Sequence, residues 1–525
     1  MVTRTVLGVQ GWALFRGGPP DRVEITLDGE SVGRARLCCP REDIRQATGI
    51  EAGGVSGFTF ELELWGIDEG VERAVIGARA HGPGGERFEL RAVEVWLAAA
   101  DSGPAQPSYT RTLSRAPAAR THKDVELLVA TAPQPYGTGG GSLMELLGQV
   151  AGGHPMSGVV LSDADTPALA GLEEAGFEVH LTGALPVSEP RPYEDRLEEL
   201  AAWTAGRRFD AAVVDGLAAF PGGDLALRLD IPAVWAIHET VPLASHWEVL
   251  RPEADPYVRW RAETALKSAA AVVFEADQAR RQFASDLAGV TCLTVPYGVD
   301  VDALDNARQA IDREAARARR DIPREATVIL STGTISPPEE QAALVWAFAR
   351  VADRHPGAVL VLVDELDPTD EGAPVTAASA CGLGEDRIRV EPLFADLREA
   401  YAIADLVVCA PGWTWLPYGM LEAIAVGLPV LGLATLGIPD LVEDGVTGWL
   451  AEPGDVSALA HALDRVLRLE ASERVAVARE ARTRVRAAHD PRASARAWAY
   501  VLTRVAARRP LHPPSPSSPG PYAPR

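Results

Sequence analysis

Positive charge is scarce in this sequence, and lysine is nearly absent. The 525 residues carry 50 basic and 73 acidic side chains, which gives a formal net charge of −23. The only lysines are Lys123 and Lys267. A chain with this balance is repelled by phosphate backbones and by anionic lipid surfaces. We therefore expect no nucleic acid and no acidic membrane as a partner, and any cation in a functional site should be arginine.

Cysteine and long apolar runs are also rare. The five cysteines are Cys38, Cys39, Cys292, Cys381 and Cys409; they are scattered and lack the spacing of a metal site. Free thiols of this kind are typical of a reducing compartment.

The opening residues M-V-T-R-T-V-L-G lack the apolar core of a signal peptide. Glycine and proline interrupt the apolar run near residues 423–439, so no membrane span is expected. We therefore expect a cytoplasmic protein with neither metal nor cofactor.

The first hundred residues differ in pattern from the rest. Apolar and polar residues alternate from Val23 to Leu37 around an Asp28-Gly29 turn, which predicts a β-hairpin. The runs Phe58–Trp65 and Arg87–Trp96 alternate in the same way. These patterns predict an all-β sandwich over residues 1–104, followed by a linker over 105–121. Trp12, Trp65 and Trp96 are candidates either for stacking on sugar rings or for packing in the core or at a sheet edge.

Strand and helix patterns alternate from residue 124 onward. Apolar strands such as Val125–Thr131 and Val359–Asp364 are each followed by a helical pattern. Such repeats predict parallel sheets that are covered on both faces, with ligands bound at the carboxyl ends of the strands. The fold class is therefore α/β, with two facing Rossmann-like parallel-sheet domains after the β-sandwich. We predict these domains at 122–305 and 306–490, then a helix at 491–509 and a disordered, proline-rich tail at 510–525.

The stretch from Pro411 to Leu450 has the most specific pattern. It reads as a loop, a helix containing Glu422, a short buried strand and another loop. Sequence positions that follow a fixed spacing are Glu422, Ala423, Ala425, Gly427, Pro429, Val430, Gly437–Asp440 and Asp444–Gly448. This spacing resembles the donor-binding segment of family 4 glycosyltransferases of the GT-B fold. An ordinary doubly wound sheet with another ligand is the alternative. The family pattern also has a Glu eight residues before Glu422, where this chain has Thr414.

The resemblance implies a reaction and roles for several residues. The reaction is transfer of a sugar, with retention, from a nucleotide-diphosphate sugar to a glycan, lipid or natural-product acceptor. Glu422 would hold the nucleotide ribose, and the N–H groups of Gly419 and Met420 would face the diphosphate. Gly333, Thr334 and Glu339 occupy further donor-binding positions, and Thr414 occupies a position beside the reacting sugar. No metal is implied, since cations and N–H donors stabilise the leaving diphosphate.

Two features of the first α/β domain add candidates. His238 ends an apolar strand in the sequence I-H-E, which resembles a branch of the family in which a histidine contacts the donor sugar. The alternative is a histidine that only caps the strand or the next helix. The glycines Gly139, Gly140 and Gly141 precede a helix and resemble the family's loop near the acceptor. A flexible turn is the alternative, since this run lacks the spacing of a dinucleotide or P-loop motif.

One departure from the family pattern bears on activity. The family brings an Arg-Lys pair to the diphosphate, and here Pro338 and Glu339 stand in that place. At about 4 Å and an effective dielectric constant of about 20, a unit charge pair is worth roughly 4 kcal/mol. Substitute cations must be arginines, and the candidates in sequence are Arg387, Arg389 and Arg398. The alternative function is therefore that of a catalytically impaired homologue that binds a sugar or supports a partner.

Overall fold

The structure is a computed structural model of the whole chain. It describes residues 6–15, 19–39, 57–63, 73–83, 85–90, 92–96, 125–132, 139–154, 156–166, 169–239, 243, 246–247, 251–332, 338–364, 373–392, 397–410, 418–435 and 437–511. Contacts divide the chain into two compact units. The first comprises Met1–Ala105 and Val301–Val485, and the second comprises Gln106–Asp300 and Arg486–Arg525.

The N-terminal region is all-β, as predicted. Its strands are β1 (Val6–Trp12), β2 (Arg22–Leu27), β3 (Glu30–Arg34), β4 (Arg36–Cys39), β5 (Gly57–Glu63), β6 (Arg73–His81), β7 (Arg87–Glu89) and β8 (Val93–Trp96). They form two antiparallel sheets with the orders β1-β5-β4 and β3-β2-β6-β7, and β8 also pairs with β6. The predicted hairpin joins β2 and β3, and both turn residues, Asp28 and Gly29, have positive φ angles.

The second unit contains a seven-stranded parallel sheet, which comes first along the chain and is called the first parallel sheet. Its strands are β9 (Val125–Thr131), β10 (Met156–Ser162), β11 (Glu178–Leu181), β12 (Ala211–Asp215), β13 (Ala233–Ile237), β14 (Ala271–Phe274) and β15 (Cys292–Thr294). The order is β11-β10-β9-β12-β13-β14-β15. The helices are α1 (Gly139–Gly153), α2 (Ala170–Glu174), α3 (Pro190–Trp203), α4 (Phe220–Arg228), α5 (Pro256–Lys267) and α6 (Asp277–Gln282). The strand order reverses between β9 and β12, where open α/β sheets form their ligand crevice.

The first unit contains a six-stranded parallel sheet, which is called the second parallel sheet. Its strands are β16 (Thr327–Thr332), β17 (Ala358–Asp364), β18 (Ile388–Pro392), β19 (Leu406–Cys409), β20 (Val430–Leu433) and β21 (Trp449–Ala451), in the order β18-β17-β16-β19-β20-β21. The helices are α7 (Val301–Gln309), α8 (Arg313–Ala318), α9 (Pro338–Ala349), α10 (Ala373–Ala380), α11 (Leu397–Ile403), α12 (Tyr418–Ala425), α13 (Ile438–Leu441), α14 (Val456–Arg468) and α15 (Ala471–Ala488). A last helix, α16 (Pro491–Ala506), belongs to the second unit.

Local sequence accounts for these elements. Every residue of β12 and β13 is buried. Because central parallel strands are covered on both faces, these two strands are apolar except for Asp215 at the end of β12. Aspartates cap several helices: the Asp455 carboxylate accepts from the Ala458 N–H at the start of α14, and Asp490 accepts from the Arg492 N–H at the start of α16. Two parallel-sheet α/β regions are therefore confirmed. The predicted linker at 105–121 and nearly all of the predicted tail lie outside the described residues.

Within the first unit, the N-terminal strands pack on helix α9. Their core is continuous: Ile25 and Leu37 belong to the same buried cluster as Trp346 of α9 and Leu459 of α14. Asp21 joins the two parts, since its carboxylate accepts from the Ser457 hydroxyl at 2.7 Å and pairs with Arg350 at 2.5 Å. Its carbonyl accepts from the Val456 N–H at 2.8 Å. The N-terminal region therefore contributes to the core of the unit that holds Glu422.

Candidate functional site

Polar side chains line the carboxyl edge of the first parallel sheet. Thr131 and Asp215 are the last residues of β9 and β12, and His238 and Glu275 directly follow β13 and β14. These four strands are neighbours in the sheet, so their carboxyl ends bring the side chains together. The group begins at the reversal of strand order between β9 and β12, the position at which such sheets bind ligands.

His238 is the centre of this network. Its Nε2–H donates to Asp215 Oδ1 at 2.6 Å, and its Nδ1–H donates to Glu275 Oε1. The Tyr297 hydroxyl oxygen also lies 2.6 Å from Nδ1. The imidazole side chain is only 2% exposed. Burial alone disfavours its charged form, but the Glu275 charge and the hydrogen bonds outweigh burial and raise the pKa of His238 well above its ordinary value. The two carboxylates therefore favour the charged imidazolium form of the buried His238.

Hydrogen bonds of Thr131 and Glu239 extend the His238 network. The Thr131 hydroxyl donates to Asp215 Oδ2 at 2.7 Å. The buried Glu239 carboxylate accepts from the backbone N–H groups of Leu217 at 2.8 Å and His238 at 3.2 Å. Burial raises the pKa of Glu239, and the His238 charge opposes this rise. These contacts fix the ends of β9, β12 and β13 relative to one another.

The segment after β15 supports the same network from the other side. Tyr297 lies in this segment, and its carbonyl accepts from the His489 Nδ1–H at 2.7 Å. The Val299 N–H donates to the His489 carbonyl at 2.9 Å, and the Ser494 hydroxyl donates to the Pro296 carbonyl at 2.7 Å. The start of α16 therefore holds the segment that presents the Tyr297 hydroxyl to His238.

Sequence reasoning found His238 but missed Asp215, Glu275 and Tyr297. For Asp215 and Glu275, the available signal was that each is the first polar residue after an apolar run. The sequence-predicted contact between His238 and a donor sugar stays a prediction, and the structure adds a constraint: both ring nitrogens already have partners within the protein.

The glycines Gly139, Gly140 and Gly141 form the first turn of α1. The predicted loop is therefore shorter than the sequence indicated, because the helix begins at Gly139. The first N–H groups of a helix have no partner within it and attract anions. A role for these glycines near the acceptor stays a prediction.

In the first unit, Glu422 lies one turn into α12, which follows β19. The Tyr401 hydroxyl donates to Glu422 Oε2 at 2.9 Å and lies 3.2 Å from the Gly419 carbonyl oxygen. Burial and the Glu422 charge raise the pKa of Tyr401 well above its ordinary value, so the phenol remains a donor. Gly419 and Met420 are buried in the first turn of the helix. Tyr401 therefore fixes both the carboxylate and the helix start, and the sequence analysis did not name it.

The remaining predicted donor-site residues are Gly333, Thr334, Thr414 and Glu339. Gly333, Thr334 and Thr414 lie outside the described residues. Glu339 belongs to the first turn of α9, directly after Pro338, and its side chain also lies outside the description.

Two arginines considered as substitute cations lie at the wrong edge of the second sheet. Arg387 precedes β18, and its guanidinium donates to the carbonyls of Ala358, Ala352 and His355 at 2.9–3.0 Å. Arg389 donates to the Asp321 carbonyl at 3.2 Å. Ala358 is the first residue of β17, so Arg387 holds the amino edge, opposite the carboxyl edge where β19 leads toward α12. Arg398 lies on α11 and is exposed.

With this geometry in place, comparison with known proteins gives a family for part of the chain. Residues 312–484 match the family of glycosyl transferases, group 1. This region contains Glu422, α12 and the six strands of the second parallel sheet. The match agrees with the sequence-based resemblance at the level of the broader family.

The chain matches its curated relatives over only part of their length. The chain is 35% identical over 113 residues to the amylovoran biosynthesis glycosyltransferase AmsK of Erwinia amylovora, which spans 22% of this chain and 28% of that protein. It is 30% identical over 301 residues to the D-inositol 3-phosphate glycosyltransferase of Streptomyces avermitilis, and the matched region is 54% of this chain and 63% of that protein. The chain therefore spans less than two thirds of these relatives.

A solved structure supports the fold. Anabaena Alr3699/HepE, crystallised with UDP and glucose, aligns with a TM-score of 0.57 at 19% identity and covers 72% of this chain and 99% of its own. At this identity the likeness shows the GT-B fold. Among the described residues, no helix combines the length and the apolar character needed to span a membrane.

Proposed function

We propose that this protein is a retaining glycosyltransferase that moves a sugar from a nucleotide-diphosphate sugar to a hydroxyl-bearing acceptor. The observation that carries the proposal is the position of Glu422 in the region that matches glycosyl transferases, group 1. The carboxylate lies one turn into a helix that follows a parallel strand, where ligands of open α/β sheets bind.

The donor would be held by the start of α12. The N–H groups of Gly419 and Met420 lie in the first turn of the helix, where N–H groups lack helical partners and the helix dipole favours an anionic diphosphate. Glu422 would accept hydrogen bonds from the ribose hydroxyls. Tyr401 would keep the Glu422 carboxylate in place, because its hydroxyl already donates to Oε2.

The first parallel sheet would position the reacting sugar and the acceptor. His238 is held by Asp215, Glu275 and Tyr297, so its position is fixed before any substrate binds. Gly139, Gly140 and Gly141 would offer backbone N–H groups at the start of α1. We further propose that the protein works in a reducing compartment, the cytoplasm, because Cys292, Cys381 and Cys409 are free thiols.

The donor class is tested by titration of the full chain with UDP-, GDP- and dTDP-sugars. A UDP-sugar comes first in the panel, since Alr3699/HepE was solved with UDP and glucose. We expect one nucleotide class to bind with micromolar affinity, and we expect release of the nucleoside diphosphate when an acceptor mixture is added. Absence of binding for all three classes would contradict the proposal.

A second function is favoured by one specific observation. Pro338 and Glu339 begin α9 where the family carries a basic pair, so the donor site lacks those two cations. This departure favours a catalytically impaired homologue that binds a sugar or supports a partner. The double substitution Pro338→Arg and Glu339→Lys distinguishes the two functions. Strong gain of donor affinity in this variant, from an undetectable value in the wild type, supports the impaired homologue; little gain over a micromolar wild type supports the active transferase.

A further inference from the structure

A cavity of about 420 Å³ lies within the first unit, between the N-terminal strands and the second parallel sheet. One wall is formed by the end of β3 and by β4. The other walls are formed by α9, by the start of α14 and by the carboxyl ends of β19 and β20. The volume falls within the range of about 300–1,000 Å³ that is usual for small-molecule sites.

The segment between β21 and α14 fixes the cavity against the N-terminal strands. Gly454 in this segment has a φ of +67°, and a Cβ atom there would lie 3.1 Å from both the Ala35 carbonyl oxygen and the Arg34 Cβ atom. The Val456 N–H donates to the Asp21 carbonyl at 2.8 Å. The two sides of the cavity are therefore held together by direct backbone contact.

Much of the wall is apolar and belongs to the core. Leu37, Leu433, Val456 and Leu459 line the cavity, and each is at most 8% exposed. All four belong to one buried cluster that joins the N-terminal strands to the second sheet. Because core side chains are closely packed, this wall keeps its shape and would take the apolar part of a ligand.

Arg34 supplies an accessible polar group on the wall. Its Nη1 atom lies 3.2 Å from Glu452 Oε2 and 4.0 Å from Asp455 Oδ2. The Nε and Nη2 atoms have no partner among the described residues, and the side chain is 36% exposed. The Asp455 carboxylate is only 9% exposed and already accepts from the Ala458 N–H. A ligand in the cavity therefore meets the guanidinium and not the Asp455 carboxylate.

These charges favour an anionic group on the ligand. A carboxylate can accept two parallel hydrogen bonds from the free side of a guanidinium. The existing pair of Arg34 with Glu452 opposes this little, because exposed ion pairs contribute at most about 1 kcal/mol and Glu452 is 67% exposed. A cationic group would face repulsion from Arg34.

We propose that this cavity is a binding site for a small amphipathic anion, with an apolar ring against the leucines and a carboxylate on Arg34. The site goes beyond the donor and acceptor sites of the proposed transferase, since none of the described residues that line it belongs to α12 or to the first parallel sheet. It needs both parts of the first unit, because the N-terminal strands supply Arg34 and the second sheet supplies Leu433.

The test uses three probes that share one ring system and differ in charge. Anionic 2-naphthoate, neutral 2-naphthalenemethanol and cationic 2-naphthylmethylamine are titrated calorimetrically into the full chain. Arg34→Gln removes the charge, Arg34→Lys keeps the charge without the planar fork, and Ala343→Leu narrows the cavity from α9. Arg87→Gln is the matched control, since Arg87 of β7 is 54% exposed and does not line the cavity. Thermal melts of all variants report on folding.

We expect 2-naphthoate to bind the wild type with a Kd of about 1 mM or below, and more tightly than the other two probes. Arg34→Gln should weaken this binding by about 10-fold or more, and Arg34→Lys should weaken it less. Ala343→Leu should also weaken it, while Arg87→Gln should not change it.

The inference is overturned if 2-naphthoate does not bind, if the cationic probe binds as tightly, or if Arg34→Gln or Ala343→Leu binds like Arg87→Gln. UDP is added as a competitor, and displacement of 2-naphthoate by UDP would assign the cavity to the nucleotide and also overturn the inference. Binding of 2-naphthoate that depends on Arg34, without binding of any nucleotide sugar, would retain this site and refute the proposed transferase.

Discussion

The two parallel sheets differ in the edge at which a cluster of ion-paired side chains lies. In the first sheet, Asp215, His238 and Glu275 lie at the carboxyl edge, at or directly after the ends of β12, β13 and β14. In the second sheet, Asp405 precedes β19 at the amino edge and pairs there with Arg313 and Arg317. Ligands of open parallel sheets bind at the carboxyl edge. The same types of side chain therefore point to function in the first cluster and to stability in the second.

Arg317 illustrates the structural case. Its guanidinium donates to the Asp405 carboxylate at 2.7 Å and to three backbone carbonyls, those of Ile403, Arg324 and Ala326. The side chain is 5% exposed. All five N–H donors of the guanidinium are used, and they connect the end of α11 to the segment before β16 and to the residue before β19. Nothing of the group is left for a ligand.

His238 is as well satisfied as Arg317, but its partners are different. It lies among ionisable side chains at the carboxyl edge of its sheet, whereas Arg317 lies largely among backbone carbonyls. Burial and hydrogen-bond count are therefore alike for His238 and Arg317. Our proposal of a functional role for the His238 cluster rests instead on the carboxyl edge of the sheet and on the ionisable partners of the imidazole.

The largest effect is expected at the structural cluster. Arg317→Leu leaves the Asp405 charge and three carbonyls with fewer donors, so it should lower the free energy of unfolding by about 3–5 kcal/mol. Urea unfolding checks this value. Arg319→Leu is the control, because Arg319 is 60% exposed and pairs only at the surface with Glu399; it should cost less than about 1 kcal/mol. Equal costs for the two variants would contradict the structural assignment of the amino edge.

The next effect is expected at the carboxyl edge of the second sheet. Glu422→Ala removes a carboxylate that would bind the ribose of the donor, so donor affinity should fall by about 1.5–3 kcal/mol, roughly 10- to 150-fold. Calorimetric titration with the donor measures it. The exposed carboxylate of Glu385 supplies the control, Glu385→Ala. If both variants bind donor like the wild type, Glu422 is not part of the site.

Much of the fold could be predicted from sequence, because buried parallel strands are apolar along their whole length. The prediction for β9, residues 125–131, coincides with the observed strand, and the prediction for β17, residues 359–364, is within one residue of it. The strands β6 and β15 were missed. The inward residues of β6 include Ala78 and Ala80, which give a weak alternation, and β15 has only three residues.

The site could be predicted only in part. Glu422 and His238 were found because each belongs to a local pattern of fixed spacing. Asp215, Glu275 and Tyr297 are separated by up to 82 positions in the chain, and only the order of β12, β13, β14 and β15 brings them to one histidine. Sequence spacing carries no signal for a contact that a sheet order creates. Tyr401 was missed for the same reason, since it reaches Glu422 from a different helix.

Two buried histidines of the second unit, His238 and His489, should differ in the sign of their pH dependence. Partners raise the folded-state pKa of His238 above the unfolded value of about 6.5, so its contribution to stability is full below pH of about 6.5 and is lost as pH rises through the folded pKa. Burial lowers the pKa of His489 to about 4, so its contribution is present above pH of about 6.5 and is lost as pH falls toward 4.

Urea unfolding of the wild type, His238→Gln and His489→Gln from pH 4 to 9 measures both signs. The stability difference between the wild type and His238→Gln should shrink as the pH rises above neutrality, with a slope of up to about 1.4 kcal/mol per pH unit. The difference between the wild type and His489→Gln should shrink as the pH falls below about 6. A pH-independent difference for His238→Gln would show that the histidine is not charged in the native state.

The smallest effect is expected for the hydroxyl that joins the His238 network to the segment after β15. Tyr297→Phe keeps the buried ring and its stacking on His238, with ring centroids 5.9 Å apart, and removes only the oxygen next to Nδ1. Since Asp215 and Glu275 still hold the imidazolium, the loss should be one hydrogen bond, about 0.5–1.5 kcal/mol of the free energy of unfolding. Tyr500→Phe, at a 46% exposed tyrosine of α16, should change stability by less than that. The alkaline loss of stability that His238 causes should remain in Tyr297→Phe. Disappearance of that pH dependence would show that Tyr297, and not the two carboxylates, keeps the histidine charged, and the carboxyl-edge cluster would then depend on the segment held by α16.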